Sequence, residues 1–203
     1  MEDFNNPIFV CATAKDFLEK SSIGAKGVYL NTEMLDAEKE GQLELLGKLP
    51  YPMVTAAFSM ELALKGLLMH HKIKIPYHHN LKKLFSLLPD DIQLRAIKHY
   101  EAHNEFKGYP NMYMKVGDKN NTTPPKVLPK KESKTIKEHV EELIERHKNA
   151  FVDFRYLHEF GLKKDELAMD YNYFANFSYS IISVLAFEIG LPIATKQAKK
   201  LSD

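Results

Sequence analysis

"YPMVTAAFSMELALKGLLMHH", residues 51–71, is the most apolar run in the chain, and its reading decides the fold. It is rich in good helix formers, and between Tyr51 and Met69 the only charges are Glu61 and Lys65. Those two stand at i and i+4 with the glutamate first, the order that favours a helical ion pair. A helix this apolar around its circumference is stable only when buried on most sides. The stretch therefore predicts a central helix wrapped by others. Within it, Glu61 and Lys65 should pair with each other or with a polar residue such as His79 or Arg155.

Working outward, local signals mark further helices. Asn6 before Pro7 reads as an N-cap with proline at the first helical position, opening a helix that carries Phe9, Val10, Phe17 and Leu18 and fades near "SSIG" at 21–24. Residues 28–49 are helical in composition, enough for one or two helices weakened by Gly41 and Gly47. After the central run a short link, "KIKIPYHH" (72–79), leads to Asn80, an N-cap for "LKKLFSLL" (81–88). Pro89 ends that helix, and Asp90 with Gln93 resembles a capping box for the next.

Residues 107–134 break the pattern. Pro, Gly and Asn dominate, and seven lysines face only Asp118 and Glu132. This is a long, basic, flexible loop insertion, either a solvated linker or a mobile arm for an anionic partner. Thr135 and Glu138 then form a T-x-x-E capping box. From there Ile136, Val140, Leu143, Ile144, Ala150, Phe151, Phe154 and Leu157 repeat at helical spacing, predicting one helix that ends before Gly161. A last helix carries Phe174, Phe177, Ile181, Val184 and Leu185 on one face, closed by Gly190 and Pro192. No stretch alternates with period two between turns. The fold class expected is all-α, a bundle of five or more helices in one domain over residues 1–203.

Composition excludes several functions. The formal net charge of +1 gives no global pull toward nucleic acid or membrane. Only Arg95, Arg146 and Arg155 are arginines among 28 basic residues, few for a protein that reads base edges. Cys11 is the single cysteine, so no internal disulfide or multi-cysteine zinc site can form; inside an apolar helix it reads as a small buried residue. The N-terminus is acidic where a signal peptide would be basic. Charges break the apolar runs before the roughly 18 residues of a membrane span, so the expected location is cytoplasmic, with no membrane. Phosphate-cradling glycine motifs and the G-x-S-x-G elbow are absent.

The histidines fall in pairs without completing a metal set. His70/His71 and His78/His79 flank the link; His99 and His103 stand at i,i+4, with Tyr100 where a zincin pattern requires glutamate. No metal and no cofactor are expected. "FVDFRYLHEF" (151–160) sets Arg155 and His158 three positions apart. At about 100° per residue from Ile136, His147 falls at the centre of the apolar stripe and His158 about 20° from it, with Arg155 at its margin about 80° away. Two readings stand side by side. One is a core histidine with a boundary arginine snorkelling to water; the other is a cationic notch where this helix meets a neighbour.

Three pieces in order, Glu61-x-x-Leu64-Lys65 in the apolar helix, "HHNLKKL" (78–84) and "NAFVDFRYLHE" (149–159), resemble the HEPN (higher eukaryote and prokaryote nucleotide-binding) domains. The resemblance covers about residues 53–188, with the 107–134 insertion inside. It implies an up-and-down helical bundle, a homodimer with its groove at the helical interface, and a prokaryotic defence or stress setting. It also implies an RNA or nucleotide ligand held by Lys65, His79, Arg155 and His158. Catalytic members cut RNA without metal through an R-x4-6-H motif, the arginine holding phosphate and the histidine moving protons. Here Arg95 precedes His99 by three intervening residues and His103 by seven, Arg146 abuts His147, and Arg155 reaches His158 after two. The required spacing is missing.

The expectation is thus a binding or regulatory module. The alternatives are a ribonuclease effector or toxin using Arg155 and His158, and a domain that binds only partner protein. For the 107–134 insertion, limited trypsin digestion should cut there first. First cleavage at Lys82 or Lys148 would contradict this reading of the insertion.

Overall fold

A computed structural model describes residues 6–32, 50–103, 105, 112–115, 135–155 and 166–192. In chain order the elements are α1 (Pro7–Thr32), α2 (Pro50–His70), α3 (Leu81–Ser86), α4 (Asp90–Ala102), β1 (Met112–Lys115), α5 (Ile136–Arg146), α6 (Ala150–Arg155), β2 (Glu166–Met169) and α7 (Tyr171–Glu188). The fold is all-α in class, as expected. One small addition is an antiparallel ribbon pairing Met112 with Met169 and Lys115 with Glu166. Four-residue strands are too short for alternation to show in the sequence. Part of the 107–134 stretch is therefore a strand, and its other residues lie outside the described ones.

α2 is the centre. It packs against α1, α3, α6 and α7, and Met53, Ala57, Met60, Leu64, Leu67 and Leu68 are buried. Tyr51–His70 is long and apolar enough to cross a membrane by length and composition, contrary to the sequence expectation. It is 72% buried inside the protein, so its apolar surface is already covered. Small residues bring the neighbours close: a Cβ on Gly66 would stand 2.7 Å from Leu185 of α7 and 3.1 Å from Val10 of α1. Buried polar groups tie the same layers. Ser59 Oγ donates to the Ala14 carbonyl at 2.6 Å, and Ser21 and Tyr171 share a hydroxyl–hydroxyl bond of 2.5 Å. Cys11 is buried, and desolvation pushes its thiol pKa up, as suits a packing residue.

Three caps form as expected. Asn6 Oδ1 accepts from the Ile8 amide at 2.9 Å, Asn80 Oδ1 accepts from the Lys83 amide at 2.9 Å, and Thr135 with Glu138 closes a full capping box. Other boundaries differ. α1 does not fade at 21–24 but runs to Thr32, because packing along α2 sustains it, with the Tyr51 ring against Gly24. Phe9, one of the apolar residues that marked this helix, is exposed. Of 28–49, residues 28–32 belong to α1 and 33–49 lie outside the described residues. The N-cap of α4 is Pro89 rather than Asp90, and Gln93 reaches back to the Leu88 carbonyl. The helix predicted from 136 onward breaks at His147–Asn149, where the Lys148 carbonyl accepts from the Leu81 amide at 2.8 Å. Asn80 Nδ2 holds Asn149 Oδ1 at 3.2 Å in the same turn.

The ends of α2 and α7 share one geometry. In each, an amide reaches back five residues, Ile73 to Leu68 and Leu191 to Ala186, both at 2.8 Å. The left-handed position is Gly190 (φ +71°) after α7, but Lys72 (φ +57°) after α2. A side chain there costs about 1–2 kcal/mol, and glycine removes that cost while losing more entropy on folding. Lys72→Gly should therefore raise stability by up to about 1 kcal/mol in urea denaturation. A fall in stability would show that Lys72 is held by more than its backbone.

Candidate functional site

Glu61 is the anchor of the site. Its side chain is 3% exposed, one turn from Lys65 on α2, and a buried carboxylate needs partners. It has two. Lys65 Nζ donates to Oε1 at 2.7 Å, and His79 Nδ1 lies 2.9 Å from both Oε1 and Oε2. An ionised carboxylate only accepts, so the proton of a neutral His79 sits on Nδ1 and Nε2 is the nitrogen left for a ligand. Lys65 keeps two further N–H groups. The link 72–79, turned back by Lys72, thus delivers His79 to a point fixed by α2.

Aromatic packing joins α6 to this trio. Phe17 of α1 meets Phe58 of α2 edge-on at 4.9 Å, Phe58 stacks on Phe151 of α6 at 5.3 Å, and Phe151 lies 5.1 Å from the His79 ring. The Arg155 guanidinium stands 5.6 Å from the Phe151 centroid, a cation–π distance. Lys65, His79 and Arg155 therefore gather around Glu61 and Phe151. His79 is 46% exposed, Lys65 is half-buried and Arg155 is exposed, so the face opens to solvent. His158 lies outside the described residues. The angular projection that placed His147, Arg155 and His158 on one continuous helix does not survive the turn at His147–Asn149.

That turn holds a network the sequence reading missed. Asp170, fully buried ahead of α7, accepts from His147 Nε2 at 2.9 Å and stands 3.4 Å from Arg146 Nε. The signals were present in the adjacent Arg146–His147 and in the acidic residue preceding the last helix. Their pairing is tertiary and has no spacing signature. His147 is thus a buried, carboxylate-bound core residue rather than part of the open face. At the end of α4, His99 and His103 stack in parallel at 3.9 Å, with His99 Nδ1 3.2 Å from Ser180 Oγ and His103 Nδ1 3.0 Å from the His99 carbonyl. Among the described residues no group of three or more His, Cys, Asp or Glu side chains could hold a metal.

Taken chemically, the face offers cationic donors, an imidazole with a fixed tautomer, and an aromatic wall. That set suits an anionic group attached to a planar one. The family model of the HEPN domain matches residues 40–151, more than half of the chain. It takes in Glu61, Lys65, His79 and Phe151 and ends before Arg155 and α7. No curated protein and no solved structure gives a significant match.

Removing Glu61 leaves two basic side chains sharing a site without their acceptor. Glu61→Ala should cost about 3 kcal/mol, the low end for a broken buried pair, because Lys65 and His79 can turn toward water. Glu61→Gln, which keeps the shape and an acceptor, should cost less. Thermal melts read both; an unchanged Glu61→Ala melting temperature would place the carboxylate at the surface.

Proposed function

The chain belongs to the HEPN domain family, and on that premise we propose that it is a binding or regulatory module whose α2–α6 face takes the phosphate of an RNA or nucleotide. One observation carries the reading: Lys65 and His79 are held on the buried Glu61 carboxylate while Arg155 rests on Phe151 beside them. The anchors fix two donors before any ligand arrives, which lowers the ordering cost of binding. Phosphate fits the donors, and a base fits the aromatic wall of Phe151 and His79. Membership fits as well, since the family is often linked to nucleotides or RNA. The same premise suggests a homodimer, a cytoplasmic location and a defence or stress setting, with a partner protein as a further ligand class.

Binding is proposed rather than catalysis. Arg155 and His158 lack the R-x4-6-H spacing, and His79 donates through Nδ1 to a carboxylate that holds it in one tautomer. A proton donor and acceptor would need two groups free to change state around the reacting phosphate.

The test is a titration of fluorescently labelled RNA and of ATP against wild type and Arg155→Ala, with total RNA incubated in EDTA alongside. Arg155→Ala should stay folded, since its side chain is exposed, and should weaken binding about tenfold, the scale of one charge-assisted contact. Wild type should leave the RNA intact. Cleavage that disappears in His158→Ala would install the ribonuclease reading. An unfolded Arg155→Ala with no ligand for wild type would return the face to packing.

A further inference from the structure

A second opening lies between α4 and α7, built from residues that take no part in the α2–α6 face. It is a cleft of about 330 Å³ lined by Arg95 and His99 from α4 and by Ser183, Val184 and Phe187 from α7. That size is near the lower end of small-molecule sites, roughly 300–1,000 Å³. Its walls are an aliphatic side chain and the ring of Phe187, which is 64% exposed although its neighbours Val184, Leu185 and Ala186 are buried.

At the cleft one guanidinium meets two carboxylates. The Arg95 guanidinium lies over the Phe187 ring at 5.3 Å, is bonded to Glu188, and has Asp91 at 3.5 Å. Glu188 also faces His71 at 3.4 Å and His70 at 4.0 Å. Arg95 is thus committed to carboxylates and offers its flat, apolar-tolerant face, with no unmatched positive charge for an anion. His99 supplies the polar edge. Burial, and then the neighbouring His103, lower its pKa to about 4, so at neutral pH it is an uncharged imidazole. Its Nδ1 is 3.2 Å from Ser180 Oγ, which leaves Nε2 for a further hydrogen bond. A guanidinium over a phenyl ring, next to a neutral imidazole, suits a flat ring that exchanges a hydrogen bond and carries no charge.

We infer that the α4–α7 cleft binds an uncharged aromatic heterocycle of single-nucleobase size. An anionic ring would meet the carboxylates of Glu188 and Asp91, and a cationic one would have to displace Arg95 from them. A purely aliphatic group would fill the volume and leave the His99 edge unused. The inference does not rest on the α2–α6 face, because the ligand class needs no phosphate.

Calorimetric titration of the full chain tests it, with adenine as the neutral heterocycle and benzoate as a flat ring bearing charge. Adenine should bind saturably at one site per chain, with benzoate at least tenfold weaker. His99→Leu, which keeps volume and removes the polar edge, and Phe187→Ala, at an exposed position, should each weaken adenine at least tenfold. If His99→Leu fails to fold, Phe187→Ala decides alone. No saturable adenine binding, equal binding of benzoate, or unchanged affinity in Phe187→Ala would overturn the inference. So would adenine binding lost in Arg155→Ala and kept in the cleft variants, since that places the ligand on the other face.

Discussion

A carboxylate buried in the middle of the most apolar helix is the constraint around which one side of this molecule is arranged. A carboxylate buried there needs donors, and its own helix supplies only Lys65. The second donor, His79, must come from outside α2. That requirement fixes the path of the link 72–79. The chain leaves α2 through a left-handed residue at Lys72 and returns so that His79 meets the carboxylate. It then enters α3 directly through the Asn80 cap. One buried charge thus sets the position of a loop, the start of the next helix and the chemistry of the exposed face above it.

Those parts of the fold that rest on short-range physics could be read from the chain. The centrality of α2 followed from its lack of a polar face, and the caps at Asn6, Asn80 and Thr135 from side chains that bond amides two or three residues away. Features that depend on distant partners could not. Nothing local distinguishes Pro89 from Asp90 as the start of α4, and α1 continues past residue 24 only because α2 lies along it. The break at His147–Asn149 is the clearest case. The heptad-like spacing runs straight through it, yet hydrogen bonds to Leu81 and Asn80 draw the turn out of the helix.

The same division holds for the candidate face. Lys65 was legible because it stands one turn after the carboxylate of an otherwise apolar helix, whereas His79, outside that helix, was named only as one candidate partner beside Arg155. Arg155 was legible as a residue of interest, but its place was not. The continuous-helix projection set it at the margin of a stripe shared with His147. With the helix broken, Phe151 determines where it stands, through a ladder of rings that reaches back to Phe17. The spacing of aromatic residues across three separate segments carries no signature in the sequence, because each contact is made only after the segments pack.

The turn between α5 and α6 links this face to the rest of the bundle. Asp170 precedes α7 and is fully buried, and its carboxylate holds both Arg146 and His147. On the outer side Glu145 bridges Lys82 and Lys148, whose hydrogen bonds lower its pKa to about 2. Because Glu145 is exposed, that bridge contributes little to stability, and the buried contacts of Asp170 are the stronger restraint. α6 is only six residues long and cannot set its own direction. Its direction comes from the turn clamped before it and from Phe151 packed against Phe58. The position of Arg155 thus depends on two things together, a turn clamped by the buried aspartate just ahead of α7 and the packing of Phe151 on Phe58.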